Sequence, residues 1–231
     1  MRLFLFLYVI LFFSCSMSEK NVTQDPVPTI VKKVKYLALG DSYTIGESVE
    51  TNQRFPVQFV QKLNNEEILT ESPQIIATTG WRTDQLIDAI ENNTFPDTFD
   101  LVSLLIGVNN QFQGRSISTY EEEFEELLQT AINLAGGNKE RVFVLSIPDY
   151  AYTTYGQNSN PNAISEGVDN FNAVNKTITE NTGVRYFDIT PISRKGVEEP
   201  ALVASDGLHP SGEQYRRWVE LFFEEMKKEV E

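Results

Sequence analysis

From residue 34 onward, apolar and polar positions follow two alternating rhythms. Short apolar runs bounded by polar or glycine-containing turns read as strands over residues 34–39, 74–78, 101–106, 142–147 and 184–189. Between and after them, apolar positions recur at helical spacing over residues 55–64, 83–91, 120–135, 164–181 and 213–230. Regular alternation of strand and helix predicts an α/β fold: a five-stranded parallel sheet covered by helices on both faces, a three-layer α/β/α sandwich. No internal repeat and no second domain boundary interrupt it.

Two helices carry start signals. Ser118 with Glu121 makes a capping box ahead of an apolar face of Phe124, Leu127, Leu128 and Ala131, and Gly136-Gly137 ends that helix. Ser211 with Gln214 has the same spacing, and Tyr215, Trp218, Val219, Phe222 and Met226 then fall on one face. These aromatics are expected in the core, against the sheet. The acidic run Glu121-Glu122-Glu123 with Glu125-Glu126 reads as a solvated helix face whose early acids suit the positive end of the helix dipole, and no chemistry is assigned to it.

The amino-terminal stretch breaks this rhythm. Met1-Arg2 precedes an apolar run from Leu3 to Phe13, then Ser14-Cys15-Ser16. The run falls short of the roughly 20 residues that a hydrocarbon core requires, so residues 1–14 read as a removable export signal. The stretch resembles a bacterial lipoprotein signal, with Phe12 where leucine is usual. That resemblance implies that Cys15 carries the acyl chains, on an exported protein of the bacterial cell envelope anchored to the membrane through this lipid. An ordinary cleaved signal with an incidental cysteine is the plainer reading. Residues 15–30 are polar, contain Pro26 and Pro28, and suit a tether; the folded domain is expected over residues 31–231.

Composition narrows the function classes. The chain has 231 residues, 41% hydrophobic, enough for one domain with a sizeable core. A net charge of -14 argues against nucleic acid as a partner and against electrostatic adhesion to an anionic membrane. With a single cysteine there is no internal disulfide. With one cysteine and one histidine a zinc centre has no ligand set, and neither metal nor cofactor is expected. The single histidine has a second consequence: chemistry near neutral pH that needs an imidazole must use His209.

In a parallel sheet, chemistry gathers at the carboxyl ends of the strands. Ser42 in Gly40-Asp41-Ser42-Tyr43 follows the first predicted strand, Gly80 follows the second, Asn109 in Gly107-Val108-Asn109-Asn110 follows the third, and Asp206-Gly207-Leu208-His209-Pro210 precedes the last helix. Each has a plain structural reading as a turn, a loop residue or a helix entry. Together, in this order, they resemble the SGNH/GDSL hydrolases over nearly the whole predicted domain. Asn110 stands where that family often has aspartate, and Tyr43 where it often has leucine.

The resemblance implies a flavodoxin-like sheet and a serine esterase that works through an acyl-enzyme. Ser42 would be the nucleophile, His209 its base and Asp206 the orienting carboxylate. The backbone N–H groups of Ser42 and Gly80 and the side chain of Asn109 would form the oxyanion hole. Each role has a physical reason: a serine hydroxyl attacks well only when an imidazole takes its proton, and that imidazole needs a partner for its cation. The implied substrate is a small-molecule, glycan or lipid ester, such as an acyl-glycan, a lysophospholipid or a small acyl ester. Two alternatives share the fold: a protein holding phosphate or flavin in the Ser42–Gly46 loop, and a non-catalytic ligand- or glycan-binding lipoprotein. Trp81 and Arg82 either line a substrate pocket or serve packing and an ion pair. Oligomeric state is not legible.

Overall fold

The computed structural model describes residues 32–95 and 97–231, so the predicted signal, Cys15 and the tether lie outside the described residues. Five parallel strands form one sheet: β1 (Tyr36–Gly40), β2 (Gln74–Ala77), β3 (Leu101–Leu105), β4 (Val142–Leu145) and β5 (Arg185–Phe187), in the order β2-β1-β3-β4-β5. β1, β3 and β4 are buried along their length, as a sheet covered on both faces requires. Among the described residues the helices are α1 (Ser42–Ile45), α2 (Phe55–Asn65), α3 (Thr83–Glu91), α4 (Val108–Phe112), α5 (Ile117–Leu134), α6 (Thr154–Gln157), α7 (Pro161–Thr182), α8 (Thr190–Ser193) and α9 (Gly212–Lys227).

Helices α2 and α9 pack on each other over one face, while α5 packs on both α3 and α7 over the other, giving the expected three layers. On α9, Tyr215, Trp218, Val219, Phe222 and Met226 are buried as predicted. Phe222 packs edge-on against Phe59 of α2 and at a tilt against Phe143 of β4 and Phe187 of β5, which binds this helix to the sheet. Truncating a fully buried aromatic of this kind costs about 3–5 kcal/mol.

The sheet order positions the site. From β1 the chain crosses to β2 on one side and then to β3 on the other, so the carboxyl ends of β1 and β3 flank the point where the winding reverses, the crevice in which open α/β sheets bind ligands. Register aligns these ends, with Gly40 opposite both Ala77 and Leu105. A side chain at position 40 would collide with the Thr44 side chain and the Leu105 carbonyl, so only glycine lets β1 turn into α1 here.

Several local readings require correction. The cap of α5 is Ser116, whose hydroxyl accepts from Thr119 N–H at 3.1 Å, so the helix begins ahead of Ser118. Ser211 caps α9 as expected, but Gln214 Nε2 donates to the Leu202 carbonyl at 2.8 Å and its Oε1 accepts nothing from the cap, leaving half of the predicted box. Val34 lies outside β1, bridged singly to Thr70. The short helices α1, α4, α6 and α8 escaped the pattern analysis, because four or five residues are too few to display a period.

Candidate active site

The turn after β1 is held by Asp41. Its buried carboxylate caps α1, with Oδ1 accepting from Tyr43 N–H at 3.0 Å, while Oδ2 has no partner among the described residues. Burial pushes the Asp41 carboxyl up to about 7, and the Tyr43 N–H only partly offsets this. An acid thus occupies the helix start that a phosphate would need, which removes the support for a phosphate or flavin loop at Ser42–Gly46. Ser42 is the first residue of α1, where a backbone N–H has no intrahelical acceptor, and it is largely buried and lines the adjoining cavity.

His209 and Asp206 come together across the loop that precedes α9. His209 Nδ1 lies 2.6 Å from Asp206 Oδ2. Asp206 Oδ1 accepts from the N–H groups of Leu208 at 2.9 Å and His209 at 3.0 Å, and Oδ2 also accepts from the Ser48 hydroxyl at 2.6 Å. Partial burial raises the Asp206 carboxyl, but the bonds from Ser48, His209 and the two backbone groups outweigh it and hold it well below the usual carboxylate range. An ionised carboxylate only accepts, so in the neutral imidazole the proton belongs on Nδ1 and the lone pair on Nε2. The ring of Tyr43 packs edge-on against the imidazole at 5.8 Å, a contact that leucine would make without an aromatic edge.

Two segments form the opposite wall. Gly80 adopts φ +86°, a conformation that favours glycine, and the space a Cβ would enter is open, so its backbone is bare toward the cavity. Asn109 donates one Nδ2 proton to the Trp81 carbonyl at 2.9 Å, which fixes the amide and leaves its second proton for another acceptor. Asn110 is fully buried, with Oδ1 accepting from Thr83 N–H at 3.1 Å and Nδ2 donating to Thr83 Oγ1 at 2.6 Å. Arg82 pairs with Asp84 and donates to Gln113, while Trp81 packs against the core, so both fall on the structural side of the alternative left open above.

Ser42, Gly80, Asn109 and His209 line one cavity of about 200 Å³, with Asp206 directly behind the imidazole. Val108, Phe112, Tyr150, Tyr155 and Leu208 make its apolar side. The fold therefore brings together all five predicted site residues from four loops. No hydrogen bond joins the Ser42 hydroxyl to the imidazole among the described residues, a looseness usual in sites without substrate.

Residues 38–217 match the GDSL-like Lipase/Acylhydrolase family. The chain belongs to this family. Solved structures with the same fold include a lipase/acylhydrolase from Enterococcus faecalis, at 20% identity over 86% of this chain and 97% of that one, with a TM-score of 0.65. An acetylxylan esterase from Geobacillus stearothermophilus is similar at 20% identity, 84% and 94% coverage and a TM-score of 0.63. A member of the lipolytic G-D-S-L family from Veillonella parvula is similar at 18% identity, 83% and 97% coverage and a TM-score of 0.62. No curated protein matches the chain in sequence.

As a member of the GDSL-like family, the protein is a serine hydrolase acting on ester bonds. Sequence reasoning missed three contributors to its cavity and the surrounding contacts. Ser48 sits at φ 63° and bonds to a carboxylate 158 positions away, with no local signature to announce it. The aromatic side of the cavity draws on α4 and α6, both too short to predict. Glu123, placed on a solvated face, accepts instead from the Thr83 hydroxyl.

Proposed function

We propose that this GDSL-family hydrolase cleaves short-chain acyl esters through a Ser42 acyl-enzyme, with His209 as general base and later general acid, and Asp206 as its orienting carboxylate. The observation that carries the proposal is the convergence of Ser42 and the only imidazole of the sequence on one cavity, with Asp206 behind that imidazole. In this reading Nε2 takes the Ser42 proton as the hydroxyl attacks the ester carbonyl. Asp206 stabilises the imidazolium, which then returns the proton to the leaving alcohol. The Ser42 and Gly80 N–H groups and the second Nδ2 proton of Asn109 receive the developing oxyanion. Water repeats the sequence in deacylation.

The substrate class follows from size and lining. A cavity of about 200 Å³ with an aromatic side suits an acyl group of a few carbons, carried on a small alcohol, a glycan or a lysophospholipid. The test is turnover of aryl esters of increasing acyl length by the purified protein. Acetate and butyrate esters are expected to be hydrolysed faster than the dodecanoate, and Ser42→Ala to lose about 10⁴-fold or more in kcat. Unchanged turnover in Ser42→Ala would sink the mechanism.

The amino-terminal reading belongs to the same proposal: cleavage before Cys15, acylation there, and residence in the bacterial envelope on a lipid anchor, supported by the short apolar run and its cysteine. Cys15→Ala is expected to move the protein from the membrane to the soluble fraction of cells. Retention in the membrane fraction would count against the anchor.

A further inference from the structure

The contacts behind the oxyanion wall have a fixed direction of donation. Thr83 N–H is a backbone donor, so the Asn110 atom facing it is the oxygen and the amide NH₂ faces Thr83 Oγ1. Thr83 has one hydroxyl proton. With Asn110 donating to its oxygen, that proton points the other way, and Glu123 on α5 accepts it. The order Asn110 to Thr83 to Glu123 is therefore a one-way chain of hydrogen bonds from the buried middle of α4 to a partly exposed carboxylate.

This chain crosses the same gap as the bond from Asn109 Nδ2 to the Trp81 carbonyl. Two adjacent asparagines of α4 thus grip two positions, Trp81 and Thr83, of the segment that follows Gly80. Asn109 and Gly80 supply two of the three proposed oxyanion donors, and only the spacing of these segments sets the distance between them.

We infer that Asn110, Thr83 and Glu123 are positioning residues that set the spacing of the oxyanion donors, and that Glu123 is what requires an amide at position 110. The inference rests on the oxyanion hole proposed above. An aspartate at position 110 would accept from Thr83 N–H equally well, but its second oxygen would face Thr83 Oγ1 with no proton between them. Thr83 cannot donate to that carboxylate and to Glu123 at once, so two carboxylates compete for one proton in a partly desolvated place. Replacing Glu123 by glutamine as well reverses the chain: the glutamine NH₂ donates to Thr83 Oγ1, and the Thr83 hydroxyl turns to donate to the introduced aspartate.

The test is a double-mutant cycle on kcat for an aryl acetate, with thermal unfolding of each variant recorded alongside. Asn110→Asp is expected to lower kcat about 10- to 100-fold with KM nearly unchanged, since the donors act on the transition state. Glu123→Gln alone is expected to lower it about 2- to 3-fold. The double variant is expected to recover at least about 10-fold over Asn110→Asp, which a merely structural loss would not produce. Folded Asn110→Asp with wild-type kcat, or a folded double variant no better than Asn110→Asp, overturns the inference. If Asn110→Asp does not fold, Thr83→Ser and Thr83→Val replace it: serine stays within about 3-fold of wild type and valine loses about 10-fold, whereas equal kcat for the two overturns it. Failure of the underlying mechanism reads out separately, as turnover that survives Ser42→Ala.

Discussion

The two walls of the cavity are held by opposite means. Behind His209, a charged carboxylate at the surface gathers four donors: Ser48, the imidazole, and the N–H groups of Leu208 and His209. Behind Gly80 and Asn109, the groups next to the cavity are neutral and Asn110 is fully buried, with the one carboxylate of that wall's hydrogen-bond chain, Glu123, set back on α5 beyond Thr83. The difference follows the work proposed for each wall. In the proposed mechanism the imidazole gains and loses a charge in every cycle and needs a counter-charge that does not titrate with it, which the depressed Asp206 carboxyl would supply. The oxyanion wall has to offer the same donors throughout, so groups without a titration suit it.

Removing one member from each wall sharpens this contrast. Asp206→Asn is expected to lower kcat by about 10² to 10⁴, because an amide leaves the imidazolium without its counter-charge and permits the wrong tautomer. Asn109→Ala is expected to lower kcat by about 10² to 10³ with little change in the shape of its pH profile, while Asp206→Asn alters that shape. Steady-state kinetics across pH on both variants makes the comparison, and identical profiles would erase the distinction between a titrating wall and a fixed one.

Asp41 extends the contrast to the turn after β1, where a buried carboxyl has no counter-charge among the described residues. Its folded-state value of about 7 lies above that of an unfolded aspartate, about 3.9. The folded protein therefore holds the proton more tightly: the stabilising contribution is full below the unfolded value and is lost as pH rises through the folded one. Asp41→Asn keeps an acceptor for Tyr43 N–H and removes the charge. At about pH 8 it is expected to exceed wild type in stability by on the order of 1 to 3 kcal/mol, with the gap narrowing toward pH 4. Thermal unfolding at several pH values checks this, and a gap independent of pH would contradict it.

Among the contacts of Asp206, a smaller effect is expected at Ser48. Ser48→Ala removes one of the donors that hold Asp206 down, and kcat is expected to fall about 3- to 10-fold. A fall as large as that of Asp206→Asn would mean that the carboxylate depends on one hydroxyl more than on its backbone donors.

Legibility from the sequence followed locality. Strand order apart, the layers were readable because β1, β3 and β4 are short, mostly apolar runs, and α9 shows its buried face in the spacing of Tyr215, Trp218 and Phe222. The site loops were readable because each carries a short local pattern at a strand or helix end. Ser116 and Ser118 show the limit: both precede residues able to complete a cap, and only the fit of the first turn against the rest of the fold selects Ser116. Ser48 and Glu123 lay beyond reading, since their partners, Asp206 and Thr83, are distant in sequence and nothing nearby marks them.

The bond from Ser48 to Asp206 spans 158 positions, and it ties the loop after α1 to the loop before α9. A contact of such long range carries the loop-closure entropy of most of the domain. A chain whose first strands and helices have paired, but whose last helix has not docked, holds Ser42 without an imidazole beside it. In the mechanism proposed above, ester turnover therefore requires both ends of the domain to be in place, and enzymatic activity reports on the completed fold, not on its beginning.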